Sequence, residues 1–419
     1  MKITVIGAGS TYTPELMEGL LQRAEQMQIK EVWLYDINQR RLEIVGGLIQ
    51  RMNQAQGEPF AVHATLERRA AIAGADFVLT QIRVGGQQAR HDDTIFSLGH
   101  DMIGQETTGP AGFAKAMRTI PVILDICSEI RASAPNAWLL NFTNPAGIMT
   151  EAVLRHGGVN VIGLCNGPLG MQMNIAQQYG VGHRDVDLDY MGLNHLGFVR
   201  RIWVKGEEVT QGVLETMAAK AANIPDLEVD AAFAQSLNMI PSGYLRYFFL
   251  EAEMLKVLKA KPKTRAQEVM AIEETLLRKY ADPDLKEKPP ELEKRGGAYY
   301  STAAVELMQS LHSNGGEKHI VNVRNQGTIT DLPYDAAVEV TAIVDGRGAQ
   351  PLALGPLPTA IRGLVQQVKA YEELTVEAAV TGSYAKALLA LSNNPLVPSV
   401  NRGKLLLDQF NEHHQLGLR

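Results

Sequence analysis

The chain has 419 residues, 45% hydrophobic and 21% charged, more than one hydrophobic core usually organises, so two domains are expected. No apolar run approaches the roughly 20 residues of a membrane span, and a formal charge of −6 argues against a general nucleic-acid partner while permitting a local basic pocket. Two cysteines, Cys127 and Cys165, exclude a disulfide framework, and a start that runs straight into a strand is read as cytoplasmic, without membrane association.

Lys2 to Ile6 reads as a buried strand, Gly7-Ala-Gly9-Ser-Thr-Tyr12-Thr-Pro14 as a tight turn, and Glu15 to Gln26 as a helix. The helix N-terminus then aims N–H groups at whatever occupies the turn. A second strand, Glu31 to Tyr35, ends in Asp36, where a dinucleotide fold places the acidic side chain that holds ribose hydroxyls. Tyr12 stands where that fingerprint has its third glycine. Gly7, Gly9, Ser10, Thr11 and Asp36 are accordingly candidate NAD contacts. A third buried strand, Ala75 to Ile82, leads to Arg83 and Arg90; beyond the C-terminal edge of an open α/β sheet, arginines tend to meet anions. A glycine-rich polar loop, Gly104 to Gly112, precedes a long helix from Ala114 to Ala134 with Cys127 in its core face. A fourth strand, from Ala137, ends in Asn141 and Asn144, amides able to bracket sugar hydroxyls.

The run Val159 to Leu164 delivers Cys165 to a strand end, and Leu188 to Asn194 delivers His195. Thiolate and imidazole side by side suit a divalent transition metal whose shell a substrate or water completes. The competing reading is a core cysteine and a structural histidine. Further on, a helix is expected from Leu169 to Tyr179 and two strands between 186 and 204. Helices follow near 213–222, 244–260, 264–281, 298–313, 357–390 and 400–414, with strands at 320–324 and 336–344. The expected fold class is α/β: an N-terminal Rossmann-type doubly wound parallel sheet over 1–165, then a mixed α+β domain over 166–419, as in lactate and malate dehydrogenases.

Several strings acquire meaning together: Gly9-Ser-Thr-Tyr-Thr-Pro14, Ile82-Arg-Val-Gly85, Gly104-Gln-Glu-Thr-Thr-Gly-Pro110, Asn144-Pro145-Ala, Cys165-Asn-Gly-Pro168, Gly192-Leu-Asn-His195 and Tyr244-Leu-Arg-Tyr-Phe248. In order and spacing they resemble the NAD- and metal-dependent family 4 of the glycoside hydrolases. That resemblance implies hydrolysis of 6-phospho-β-D-glucosides through C3 oxidation with NAD⁺, removal of the C2 proton, elimination, addition of water at C1 and re-reduction. Such a route departs from the carboxylate pair of ordinary glycosidases. Position by position, Cys165 and His195 match the metal ligands, normally for Mn²⁺, and Tyr244 matches the general base. Arg90, Asn144, Asn166 and Arg265 match substrate positions, and Arg83 is expected beside the cofactor. Tyr247 is near enough in sequence to exchange roles with Tyr244, and Arg295 is a further phosphate or active-site candidate. Asn166 occupies the position where α-acting relatives carry an aspartic acid, which favours a β-glycoside and puts this residue among those at the reacting bond. Because free tyrosine titrates near pH 10, Tyr244 needs a neighbouring cation to act as a base. The implied assembly is a homodimer or homotetramer. The competing function is a net oxidoreductase of the lactate/malate dehydrogenase type, which needs no metal cysteine; within the family, an α-galactosidase would use the same frame.

Overall fold

The structure, a computed structural model, describes residues 1–216, 229–295 and 299–419. The end of the helix expected over 213–222, and Gly296, Gly297 and Ala298 of the Arg295 to Tyr300 string, lie outside the described residues.

Six parallel strands form the first half: β1 (Lys2–Ile6), β2 (Glu31–Tyr35), β3 (Ala61–Thr65), β4 (Phe77–Thr80), β5 (Trp138–Asn141) and β6 (Asn160–Gly163). Their spatial order, 3-2-1-4-5-6, is that of a dinucleotide-binding sheet, with the strand order reversing between β1 and β4 and a ligand crevice outside their carboxyl ends. β1 and β4 are buried almost throughout, as strands covered by helices on both faces must be, and so read in the sequence as unbroken apolar runs. β3 is the exposed edge strand and gives no such signal.

A hairpin, β7 (Val186–Leu193) and β8 (Leu196–Val204), stands apart in a second sheet. Later the chain returns to the first sheet through β9 (Glu317–Arg324), β10 (Ala337–Asp345) and β11 (Gly348–Pro351). β9 pairs antiparallel with β6 through Asn322 and Gly163, giving a nine-stranded sheet among the described residues. Three strands from beyond residue 165 thus continue the N-terminal sheet.

Helices α1 (Thr13–Gln22), α2 (Gln39–Ala55), α3 (Gly86–Gly99), α4 (Pro110–Ser133), α5 (Asn166–Tyr179), α6 (Arg265–Tyr280), α7 (Tyr300–Ser313) and α8 (Thr359–Thr381) place the site. α4 starts at Pro110 rather than Ala114: proline suits the first helical position, and residues 110–117 are all buried. α3 is a helix that the polar run after Arg83 did not announce, and it carries Arg90 one turn from its start. Cys165, expected at a strand end, is the N-cap of α5, its sulfur accepting from Gly167 N at 3.4 Å. Thr264 and Gln267 close a capping box at the start of α6, with Thr264 N donating to Gln267 Oε1 at 3.0 Å. α8 packs on α4, and its buried Lys369 reaches Glu151 at 2.9 Å and Glu372 at 2.5 Å. No helix among the described residues is long and apolar enough to cross a membrane.

Gly163 marks a tight point near the crevice, because a Cβ there would lie 2.1 Å from Thr150 Oγ1 and 2.8 Å from the Asn322 Cβ. Gly163→Ala is therefore expected to overpack the junction of β6 and β9 and to cost about 1–3 kcal/mol. Thermal unfolding should show a lowered midpoint; an unchanged one would mean that the junction yields freely.

Candidate active site

β1 stops at Gly7, which has φ +91° and leaves a Cβ only 2.9 Å from Gln81 O. A side chain would separate the turn from the segment after β4, so glycine is required by both backbone and space. Gly7 N and Ala8 N donate to Tyr35 O at 2.9 Å, and Gly9 N donates to Asp36 Oδ2 at 2.8 Å. Asp36 Oδ1 accepts from Asn38 N at 2.8 Å. The acidic side chain is thus fixed against the second turn glycine, at the end of β2. Ser10 is partly buried, with its Oγ accepting from Tyr12 N. Thr11 is wholly buried, its carbonyl accepting from Tyr280 OH, and its Oγ1 has no hydrogen-bond partner among the described residues. The Tyr12 ring, in place of the third glycine, stacks on Tyr300 at 5.7 Å and lies beneath the Arg295 guanidinium at 4.2 Å.

The crevice opens into a cavity of about 420 Å³ lined by Arg83, Arg90, Asn144, Cys165, Asn166, His195, Tyr244, Arg265 and Arg295. The metal-binding candidates and Arg90, Asn144, Asn166 and Arg265 meet here, but Asn141 does not: it is wholly buried at the end of β5, its Oδ1 accepting from Thr80 Oγ1 at 3.0 Å and from Thr143 N at 3.1 Å. A second hollow of about 620 Å³ is lined by Asn38 and Arg41, next to Asp36, and shares Gln87 with the first. The Tyr247 alternative does not reach the cavity: its ring is 2% exposed in an apolar cluster with Ile103, Met254 and Leu396. The Tyr244 ring lies flat on the His195 imidazole, with centroids 3.7 Å apart and planes 4° from parallel.

Cys165 Sγ and His195 Nε2 face one another at 3.4 Å. Ligand bonds of about 2.1 Å to nitrogen and about 2.3 Å to sulfur, meeting between a right angle and the tetrahedral angle, span about 3.1–3.6 Å. The pair therefore fits one metal ion between them. Among the described residues no group of three histidine, cysteine, aspartate or glutamate side chains can hold a metal. Burial pushes the Cys165 thiol up to about 12 and the His195 imidazole down to about 3; without a metal both are neutral at pH 7. His195 has φ +65° in the two-residue turn joining β7 and β8, a conformation uncommon outside glycine, although asparagine, aspartate and histidine adopt it more often than other residues. Behind the turn, buried Glu339 accepts from Asn194 Nδ2, Asn322 Nδ2 and Tyr190 OH, each at 2.9 Å. Its burial raises its pKa to about 7, while the three donated bonds pull the other way.

Glu106 collects the cationic side of the cavity, pairing with Arg83, with Arg90 at 2.9 Å and with Lys115 at 2.9 Å. Three cations against one carboxylate leave an excess of positive charge. Burial, with Arg83 beside it, pushes Lys115 down to about 7, and burial lowers Arg90 to about 10. An anion entering the cavity relieves this crowding. Arg265 pairs with Glu268 at 3.0 Å and donates to Arg295 O at 2.9 Å, and Arg295 pairs with Glu273 at 2.6 Å. Gln105, Glu106, Thr107, Lys115 and Glu339 received no role from the sequence. The first three lay within the Gly104 to Pro110 string, but nothing local shows which way their side chains turn.

The Family 4 glycosyl hydrolase model matches residues 2–181, and that family's C-terminal domain model matches residues 190–397. The chain belongs to family 4 of the glycosyl hydrolases. This family 4 chain is 46% identical to a probable 6-phospho-beta-glucosidase of Bacillus subtilis (strain 168), over 99% of its own length and 96% of that protein's. It is 40% identical to the 6-phospho-beta-glucosidase of Escherichia coli (strain K12), over 99% and 95%. The 6-phospho-beta glucosidase of Thermotoga maritima, solved with manganese, NAD+ and glucose-6-phosphate, superposes with a TM-score of 0.93 at 38% identity, covering 100% of this chain and 99% of that one. A malate dehydrogenase from Plasmodium falciparum shares the fold, with a TM-score of 0.58 at 14% identity over 91% of this family 4 chain and 99% of its own.

Proposed function

We propose that this chain is a glycosidase that hydrolyses 6-phospho-β-D-glucosides with NAD⁺ and a divalent metal such as Mn²⁺ as cofactors, neither being consumed. The observation that carries this reading is the Cys165 and His195 pair, 3.4 Å apart, on the wall of a cavity that opens where the dinucleotide turn ends. When bound, NAD⁺ supplies reversible hydride transfer at C3 and the metal supplies Lewis-acid polarisation of the sugar oxygens.

The chain's own residues do the rest. Gly7, Gly9, Ser10 and Thr11 form the pyrophosphate turn, Asp36 meets the ribose hydroxyls, and Arg83 stands beside the cofactor. Cys165 and His195 hold the metal. Arg90, Asn144, Asn166 and Arg265 bind the sugar and its phosphate, whose charge the excess of cations around Glu106 accommodates; each charge-assisted bond contributes about 1.5–3 kcal/mol. The Tyr244 oxygen takes the C2 proton once C3 is a ketone, because the ketone acidifies that position. Asn166 stands at the scissile bond as a hydrogen-bonding amide with no proton to give at neutral pH, which leaves the acid for the departing oxygen unassigned, water being one candidate. The proposal includes a homodimer or homotetramer, read by sedimentation, and a cytoplasmic location, where a sugar phosphate too charged to cross a membrane unaided is retained.

The test is hydrolysis of p-nitrophenyl β-glucoside 6-phosphate with NAD⁺ and Mn²⁺ each added or withheld. Nitrophenolate release that needs both, without stoichiometric NADH, is expected. Release that persists after both are removed overturns the reading, and steady NADH accumulation assigns a net oxidoreductase instead.

A further inference from the structure

We infer that Gln105, acting through Thr107, presets His195 as a metal ligand by fixing which ring nitrogen carries the proton. The inference rests on the reading above that His195 and Cys165 hold a metal. Gln105 Oε1 lies 2.7 Å from Thr107 N, 2.8 Å from Thr108 N, 2.7 Å from Thr107 Oγ1 and 3.0 Å from Thr108 Oγ1. Two backbone N–H groups aimed at one amide atom require that atom to be oxygen, which settles the orientation of the Gln105 side chain. An amide oxygen carries no hydrogen, so each threonine hydroxyl can bond it only as the donor, and we take the Thr107 proton to lie there.

That commitment decides the next bond. Thr107 Oγ1 also lies 2.6 Å from His195 Nδ1, and with its proton already given to Gln105 it can only accept there. His195 therefore carries its proton on Nδ1 and leaves Nε2 as a bare lone pair. Nε2 is the atom that faces Cys165 Sγ at 3.4 Å. With Nε2 unprotonated, the Cys165 thiol donates to it, so the resting pair already has the polarity of a metal site. Metal-binding histidines generally donate their second N–H to an oxygen that fixes ring orientation and tautomer. Thr107 and His195 are 8% and 5% exposed, so most of the surface of both is covered by protein. Gln105 and Thr107 are positioning residues; neither is assigned a place in the metal shell or at the sugar.

Thr107→Val keeps the shape and removes the acceptor, whereas Thr107→Ser keeps the hydroxyl. Mn²⁺ affinity is measured by electron paramagnetic resonance of free Mn²⁺ in the presence of NAD⁺ and glucose 6-phosphate. The His195 tautomer is read separately from ¹⁵N-histidine spectra of the metal-free protein, assigned with His195→Ala. Thr107→Val is expected to weaken Mn²⁺ about 10–100-fold and to lose the pure Nδ1–H tautomer, and Thr107→Ser to restore both. Should the valine variant not fold, Gln105→Met serves: the Thr107 proton is then free to turn toward Nδ1, and the spectrum should shift toward Nε2–H. Wild-type Mn²⁺ affinity together with an unchanged tautomer in the folded variant overturns the inference. No Mn²⁺ uptake by the wild-type protein would instead overturn the metal reading on which it rests.

Discussion

Cys165→Ser is expected to lose more than about a hundredfold in metal-dependent turnover, a larger loss than the roughly 10–100-fold that follows removal of an outer hydrogen bond to a metal ligand. The fold should survive. Cys165 caps α5 by accepting from Gly167 N, and a serine hydroxyl caps a helix at least as well. On the proposed reading the substitution removes a soft donor from the metal site, leaving a hard hydroxyl that yields its proton far less readily. Mn²⁺ titration should show weakened uptake while NAD⁺ binding and the melting midpoint stay close to wild type. Turnover equal to wild type would return Cys165 to the role of a packing residue.

Tyr244→Phe is expected to lower kcat by about 10²–10⁴, the usual contribution of a positioned acid or base, with little change in substrate or metal affinity. The reason for the split is geometric. The Tyr244 ring lies on His195 at 3.7 Å, and a phenyl ring keeps that contact while losing only the oxygen. A mutation that removes an interaction used in the transition state lowers kcat and kcat/KM together. If KM rose while kcat held, Tyr244 would be a binding residue, and the base would have to be sought elsewhere in the cavity. Tyr247→Phe provides the contrast: its ring is buried outside the cavity, so turnover should change little.

Some of this was legible in the chain and some was not, for physical reasons. β1, β2, β4, β5 and β6 announced themselves because strands buried on both faces are apolar throughout. Asp36 was legible because strand, turn, helix and strand follow one another at fixed spacing. β3 escaped because an edge strand with exposed residues has no apolar run, and α3 because its sequence from Gly86 to Gly99 is largely polar. The antiparallel strands β9 to β11 were partly foreseen as strands, but their pairing with β6 joins residues far apart in the sequence. Cys165 and His195 emerged as a pair from their places at two apolar runs. The Thr107 contact with His195 spans 88 residues, and the direction of its hydrogen bond depends on Gln105, information that exists only once the loop is folded. The choice between Tyr244 and Tyr247 likewise needed the fold, which buries one ring and exposes the other to the cavity.

The central claim is that the glycosidic bond breaks by elimination after a proton leaves C2. The most direct measurement is hydrolysis of a 6-phospho-β-glucoside in D₂O, followed by NMR of the glucose 6-phosphate formed. A proton taken from C2 by Tyr244 is replaced from solvent, so the account predicts deuterium at C2 of the product. Product that retains protium at C2 at undiminished turnover would contradict it.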